Sequence, residues 1–443
     1  MNIFKWNTTR ILVFGFAFII ILGAILLSLP FASRDGLDIS FLDALFTSAS
    51  ATCVTGLVVF DTWTQFSAFG QLVILLLIQI GGLGFMAIAI FFSLTLGLRI
   101  GLRERSLLAE ALSFMQVGGV VRFVRRMLIG TALIEGLGAI LLAIKFVPLF
   151  GIKNGIWFSI FHSVSAFCNA GFDLMGISQK SSSLTTVYND PLIVLTIAIL
   201  IIIGGIGFIV WNDLVENKFS LRLLRLHTRV VIFSTIFLLL VGTIGFLFYE
   251  RNGVFSLMTP EYKILSAFFQ SVTPRTAGFN TIDISSLSEG SKFITMLLMI
   301  IGAGPGSTGG GIKVTTFIVI LATAIASLRG NEDITIWHFR LEAETMRRAF
   351  CVTVVYLVMT ICGILILCAQ GELFFQAAFE CISAIGTVGL SLGITSSLSV
   401  VSKIVVIILM FTGRVGSLTF FMAVARSNKV GKIRKPISKL IVG

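Results

Sequence analysis

Four short segments of the chain share one layout of small, hydroxyl-bearing and glycine residues. They read Phe46-Thr-Ser-Ala-Ser-Ala-Thr-Cys-Val-Thr-Gly56-Leu57, Phe161-His-Ser-Val-Ser-Ala-Phe-Cys-Asn-Ala-Gly171-Phe172, Phe268-Phe-Gln-Ser-Val-Thr-Pro-Arg-Thr-Ala-Gly278-Phe279 and Phe379-Glu-Cys-Ile-Ser-Ala-Ile-Gly-Thr-Val-Gly389-Leu390. The terminal glycines are 115, 107 and 111 residues apart. The side chains are mostly neutral, so the chemistry on offer is that of the backbone. Glycine permits conformations that turn successive carbonyls toward one axis. A ring of carbonyls can replace the hydration shell of a cation. The candidate ring is Thr52–Gly56, Phe167–Gly171, Pro274–Gly278 and Ile385–Gly389. Its ligands would be the backbone oxygens of Val54, Thr55, Asn169, Ala170, Thr276, Ala277, Thr387 and Val388. Cys53, Cys168, Arg275 and Gly386 complete the set. Neutral side chains argue against a carboxylate ring for divalent ions. Such glycines also serve close helix packing, but four recurrences in one setting favour the ring.

A second constellation is a broken apolar run. Residues 293–326 are interrupted by Ile301-Gly302-Ala-Gly304-Pro-Gly306-Ser307-Thr308-Gly309-Gly310-Gly311-Ile-Lys313, whose six Gly and one Pro cannot hold a regular helix. The stretch is off-register for a phosphate-binding GxxxxGK[ST] loop, and Val follows the Lys. A flexible loop within the membrane is the better reading. Arg414 sits mid-run in Thr412-Gly-Arg-Val-Gly-Ser417, too far from either end to snorkel easily. A mid-membrane Arg faces protein or water. It serves either an ion path or a structural ion pair, for which Glu135 is the nearest candidate in type. Glu135 itself is either a coupling site or a carboxyl satisfied by a neighbouring helix. Arg275 is expected to tie its loop to an acidic neighbour.

These residues must be positioned by membrane-spanning elements. The chain has 443 residues, 56% hydrophobic and 12% charged, with mean hydropathy +1.02. An ordinary soluble domain carries about 25% charged residues. The composition excludes a soluble enzyme, a disordered regulator and a nucleic-acid reader. Long apolar runs precede and follow each glycine segment: 11–30 and 69–98, 127–148 and 191–211, 230–248 and 293–326, 349–368 and 404–425. Each is near or above the ~20 residues that a spanning helix needs, giving eight spans. The run 11–30 is longer than the ~7–15-residue apolar region of a signal peptide. The segments 41–51, 156–167, 261–272 and 373–384 are too short to cross and must turn back as half-helices. The expected fold is an all-α polytopic membrane protein with four tandem helix–pore-loop–helix repeats around a pseudo-fourfold pore. The repeats fall at 1–98, 99–226, 227–330 and 331–443, the last with a basic tail.

The net charge of +12 is uneven. The N-terminus, 99–126, 212–229, 327–348 and the tail from Arg426 hold 22 of the 33 basic residues and 8 of the 21 acidic ones. By the positive-inside rule this face, with both termini, is cytoplasmic. Its loops mix signs, as in Arg103-Glu-Arg105 with Glu110. The tail Arg426–Lys439 can meet anionic membrane lipid or an acidic partner, or serve as an anchor. Six Cys and three His show no metal or disulfide spacing. No catalytic residue set is present, so the chain reads as a non-enzyme.

The fourfold plan, together with Ala51-Thr-Cys-Val-Thr-Gly56, Thr273-Pro-Arg-Thr-Ala-Gly-Phe-Asn280 and Gly386-Thr-Val-Gly389, resembles the Trk/Ktr/HKT superfamily of potassium transporters. The match covers about residues 10–425 and is closest to the bacterial Ktr-type membrane subunit. Glycine stands at all four filter positions, which in this family implies potassium as the transported ion. A sodium-selective or sodium/potassium symporting relative is the alternative. The resemblance implies channel-like uptake across the bacterial cytoplasmic membrane, with Na+ a possible activator. It further implies a homodimer and a KtrA/KtrC-like octameric ring of cytosolic regulatory subunits, with ATP or ADP bound on that ring and not on this chain. It assigns the gate to Arg414 and to Gly302, Gly304, Gly306, Ser307, Thr308, Gly309, Gly310, Gly311 and Lys313.

Overall fold

A computed structural model describes residues 8–36, 38–88, 119–180, 182–218, 222–331 and 333–416, with Gly101, Ser220 and Thr419. The 103–110 charge cluster and the basic tail lie outside the described residues.

The element order begins with α1 (Thr8–Leu27), α2 (Phe41–Thr52) and α3 (Ala68–Leu83). Next come α4 (Val120–Phe167), α5 (Pro191–Ile206) and α6 (Phe208–Glu216). They are followed by α7 (Leu226–Tyr249), α8 (Pro260–Val272), α9 (Glu289–Ile300) and α10 (Val314–Leu328). A two-residue hairpin, β1 (Thr335–Ile336) and β2 (Phe339–Arg340), leads to α11 (Ala343–Ala369), α12 (Phe374–Gly386) and α13 (Val400–Val415). Within α4 the chain turns at Gly151 (φ +80°), after Pro148, so residues 152–167 form a separate short helix. The four short helices lie where the sequence puts them.

Among the described residues, α1, α4, α7 and α11 are long and apolar enough to cross a membrane, and the bent pair α5–α6 is a fifth candidate. Their outward faces carry exposed Phe18, Leu133, Ile140, Phe237, Ile244 and Leu365. Such side chains need hydrocarbon as their solvent.

The expected uninterrupted runs 69–98, 191–211 and 404–425 do not occur. Helices α3, α5 and α13 stop at Gly84, Gly207 and Gly416, where φ is +83°, +99° and +91°. Only glycine adopts that geometry cheaply. The turn after α5 bends the chain by 87° into α6. The three stops share one register: Gly81-Gly-Leu-Gly84, Gly204-Gly-Ile-Gly207 and Gly413-Arg-Val-Gly416. Arg414 stands where Gly82 and Gly205 stand in the other two.

Local signals explain the helix starts. Ser67, Asp190, Ser288 and Ser399 cap α3, α5, α9 and α13, each accepting from an amide of the first turn. Each cap satisfies a donor that the helix itself cannot. Packing of the short helices recurs as well. A methyl built on Gly23, Gly138 or Gly242 would lie 2.3–2.6 Å from the hydroxyl of Ser48, Ser163 or Ser271, and close to Leu77, Leu200 or Leu298. The same serines donate to the carbonyls of Ile20, Glu135 and Leu239 at 2.7, 2.6 and 2.9 Å. At the fourth place Gly363 meets Cys381 and Leu409. A short helix is thereby held between two long ones without an intervening side chain.

Candidate functional site

Each short helix ends in a loop with the same two irregular positions. Val54, Asn169, Thr276 and Thr387 have φ of +57°, +58°, +70° and +50°. Two residues later Gly56, Gly171, Gly278 and Gly389 have φ of +90°, +70°, +79° and +89°. Side chains pay about 1–2 kcal/mol for the left-handed region, so the surroundings must enforce it. Hydrogen bonds from the loop back to its helix do so. Thr55, Ala170 and Val388 amides donate to the carbonyls of Ser50, Ser165 and Ser383 at 2.8 Å, and Ala277 donates to Thr273 at 3.0 Å. The hydroxyls of Ser50 and Ser383 accept from Gly56 and Gly389 at 3.1 Å. Those of Ser165 and Thr273 donate to Phe172 and Phe279 carbonyls at 2.7 and 2.6 Å.

The four loops close a cycle. A methyl on Gly56 would lie 2.5 Å from the Ala170 oxygen, and one on Gly171 2.7 Å from the Ala277 oxygen. One on Gly278 would lie 2.6 Å from the Val388 oxygen, and one on Gly389 2.2 Å from the Thr55 oxygen. Each glycine therefore abuts the carbonyl that precedes the next glycine, and the fourth returns to the first. A side chain at any of the four would force the facing carbonyl to shift. Thr52 and Thr55 add buried hydroxyls that no described protein group satisfies.

Two cavities flank the ring. One, of about 320 Å³, touches all four glycines and has Asp61, Asp173 and Asp283 in its wall. Burial pushes the Asp173 carboxyl up to about 7, against the Met175 amide and with some help from Asp61. The other cavity, about 280 Å³, is lined by Gly84, Phe208, Gly306, Gly309, Lys313 and Arg414.

The glycine-rich break between α9 and α10 lies against the ring segments on the side of this second cavity. The Gly310 amide donates to Thr387 Oγ1 at 3.0 Å. The Asn169 amide, oriented to satisfy both ends, puts its nitrogen 3.2 Å from Thr308 Oγ1 and its oxygen 3.3 Å from Thr276 Oγ1. Amides of Gly304, Thr308 and Gly311 donate to Gly205, Gly204 and Gly413, and Phe208 donates to Gly306 O at 2.8 Å. Lys313 Nζ folds back onto Gly309 O at 2.6 Å. With these amides engaged, the loop is not a free phosphate cradle.

Arg414 joins the loop to the end of α3. Its guanidinium donates to Thr308 O, Gly81 O and, at 3.0 Å, Gly82 O. Exposed carbonyls at a helix C-terminus favour a cation. The ion pair with Glu135 is not formed: Glu135 accepts from Gln79 Nε2 at 3.1 and 3.2 Å, with Cys168 Sγ 3.6 Å from Gln79 Oε1. Arg275 departs from expectation too. Its backbone belongs to the ring, but its buried side chain reaches Thr235 Oγ1 at 3.3 Å on α7, and no acidic partner stands beside it among the described residues. Its Nε meets no partner among the described residues, so the side chain is held by one hydroxyl rather than by a charge.

All the sequence-derived ring and loop residues therefore converge on one place. Sequence reasoning missed the role of Asn169, Thr276 and Thr387 as the seat of the loop, and the three single-glycine helix stops. The repeated G-x-x-G register was the available signal for the stops.

The family described as TrkH, cation transport protein, matches residues 17–433. The Ktr system potassium uptake protein B of Bacillus subtilis is 42% identical over 100% of this chain and 99% of that protein. The potassium/sodium uptake protein NtpJ of Enterococcus hirae is 38% identical over 99% and 98%. The crystal structure of the potassium transporter TrkH from Vibrio parahaemolyticus shares the fold, with TM-score 0.75 and 20% identity over 96% of this chain and 86% of that one.

Proposed function

The chain belongs to the TrkH family of cation transport proteins, and from that premise we propose that it conducts potassium ions into the cell through the four-glycine ring. The observation that carries the reading is the closed cycle in which each glycine abuts the carbonyl ahead of the next. Carbonyls of Thr55, Ala170, Ala277 and Val388 replace part of the ion's water shell. The aspartates of the larger cavity raise the local cation concentration at the outer mouth. The four short helices aim their C-terminal ends at the ring, and their dipoles favour a cation there.

Below the ring, the loop 302–313 and Arg414 form the gate. The loop obstructs the path while Thr387, Asn169 and Gly413 hold it, and Arg414 both fastens it and repels cations. Opening requires the loop to leave these partners. A homodimer and a cytosolic nucleotide-binding ring complete the Ktr-type system, and the ring drives the opening. Both termini face the cytoplasm. Sodium acts as an activator, with the sodium/potassium name of the Enterococcus hirae relative favouring a second reading in which sodium is itself carried.

The test is potassium and sodium flux into vesicles holding the purified chain, wild type beside Gly56→Ser. Potassium-selective flux that loses its selectivity in the variant supports the ring. Equal wild-type flux of both ions overturns the potassium reading in favour of the second.

A further inference from the structure

A third cavity, of about 620 Å³, opens on the lipid-facing surface between α4, α5 and α6. It exists because the chain bends by 87° at Gly207, so α6 runs out as a ledge beside α4. Its walls are apolar: Met127, Leu133, Ile203 and Leu214 among them. Gly130 opens its floor, since a methyl there would lie 3.6 Å from the Trp211 ring. Trp211 spends its N–H on Ile203 O at 3.0 Å and packs its ring against Phe167 and Phe208, and it lines the groove.

One end of the groove is charged. Arg126 lines it, with Nη1 3.3 Å from Asn212 Oδ1 and 3.4 Å from Glu216 Oε1. Arg122 and Arg125 stand exposed within one turn of it. With Glu216 paired to Arg126, the exposed Arg122 and Arg125 nearby on α4 leave this end of the helix net positive, which favours an anion. From Arg126 to Leu133 the helix descends about 10 Å, room for the upper part of an acyl chain. By the positive-inside rule the arginine end faces the cytoplasmic leaflet.

We propose that this groove is a binding site for an anionic phospholipid, with one acyl chain against Trp211 and the headgroup phosphate at Arg122 and Arg126. Its inner wall gives the site a consequence. Phe208 lines both the groove and the cavity below the ring, and its amide holds Gly306 of the glycine-rich loop. A chain filling the groove braces Phe208 and so steadies the loop. This consequence rests on the reading of the loop as a gate; the site itself does not.

The test is fluorescence of the full chain in phosphatidylcholine vesicles titrated with brominated lipid, whose tails quench a tryptophan they touch. The difference between wild type and Trp211→Phe isolates Trp211. Half-quenching is expected at about fivefold lower mole fraction of brominated phosphatidylglycerol than of brominated phosphatidylcholine, the effect of roughly one basic residue near a membrane surface. The pair Arg122→Gln with Arg126→Gln brings the ratio to one, and Gly130→Leu reduces Trp211 quenching by both lipids. Equal quenching by the two lipids in wild type overturns the headgroup site. No Trp211 quenching by either lipid overturns the acyl site and points to a protein surface over the groove. If quenching behaves as expected but potassium flux ignores the phosphatidylglycerol fraction, the site stands and the bracing of the loop is refuted.

Discussion

Replacing Arg414 tests the gate most directly, because two variants separate its two contributions. The guanidinium holds the loop through Thr308 O and anchors itself on Gly81 O and Gly82 O at the end of α3. A hydrogen bond from a charged donor contributes about 1.5–3 kcal/mol. If the open loop lacks the Thr308 bond, removing it raises the open-to-closed ratio about ten- to hundredfold, at about 1.4 kcal/mol per decade. The positive charge adds a barrier to any passing cation. At roughly 8 Å and an effective dielectric of about 20, that barrier is about 2 kcal/mol. Arg414→Gln removes both, so flux rises by at least tenfold. Arg414→Lys keeps the charge but not the planar fork that spans two carbonyl groups. Its flux lies between the wild type and Arg414→Gln. The assay is potassium uptake into vesicles, followed by a potassium-sensitive dye, with each variant first shown to be monodisperse in detergent. Flux in Arg414→Gln at or below the wild-type level, from well-folded protein, refutes the latch and the barrier together. Equal flux in the two variants refutes the barrier alone.

Three further outcomes follow from the same geometry. Gly278→Ala puts a methyl 2.6 Å from the Val388 oxygen at φ +79°, so vesicle flux should fall more than tenfold while the protein still elutes as folded. Glu380, fully buried on α12, accepts from Ser391 Oγ at 2.7 Å and Thr395 Oγ1 at 2.6 Å; Glu380→Ala removes this acceptor, leaving the Thr395–Ser391 bond at 3.0 Å, and should cost about 1–3 kcal/mol, seen as a lower thermal midpoint in detergent, with Glu380→Gln recovering most of the loss. Asp173, raised to about 7 by burial, is charged above that pH and neutral below it. Flux should therefore fall about threefold as outside pH drops through 7, the effect of one charge at roughly 6 Å in water, and Asp173→Asn should flatten the profile. The same raised value means that the folded state binds this proton more tightly than the unfolded one, so its contribution to stability declines as pH rises from about 4 to 7.

The ring was legible in the sequence because four glycines recur with the same neighbours, and the break at 302–313 because Gly and Pro are dense there. The stops at Gly84, Gly207 and Gly416 were passed over, since hydropathy does not register φ and only the recurring G-x-x-G register marks them. The partner of Arg275 was misjudged for a related reason. Charge type suggests a carboxylate, whereas among the described residues the side chain meets Thr235. Arg414 shows the same limit from the other side. Its partners are backbone carbonyls from α3 and the loop, which no residue type announces. The lipid-side groove was invisible because it depends on the 87° turn after α5, and a turn angle is a tertiary quantity.

The helix stops carry a mechanical consequence. Gly84, Gly207 and Gly416, with the break after α9, fall just beyond the short-helix ends: methyls on Gly81, Gly204 and Gly413 would lie within 2.1 Å of the carbonyls of Thr52, Phe167 and Ile385. Four joints at one level divide the molecule into a stiff cap and a compliant base. Force applied to the base would bend the joints before it deforms the cap, because glycine contacts with Ser48, Ser163, Ser271 and Cys381 clamp the short helices to their neighbours. On the proposed reading of ring and gate, ion discrimination is insulated from the degree of opening. A barely open and a fully open molecule should differ in the number of ions passed, and not in which ion is preferred.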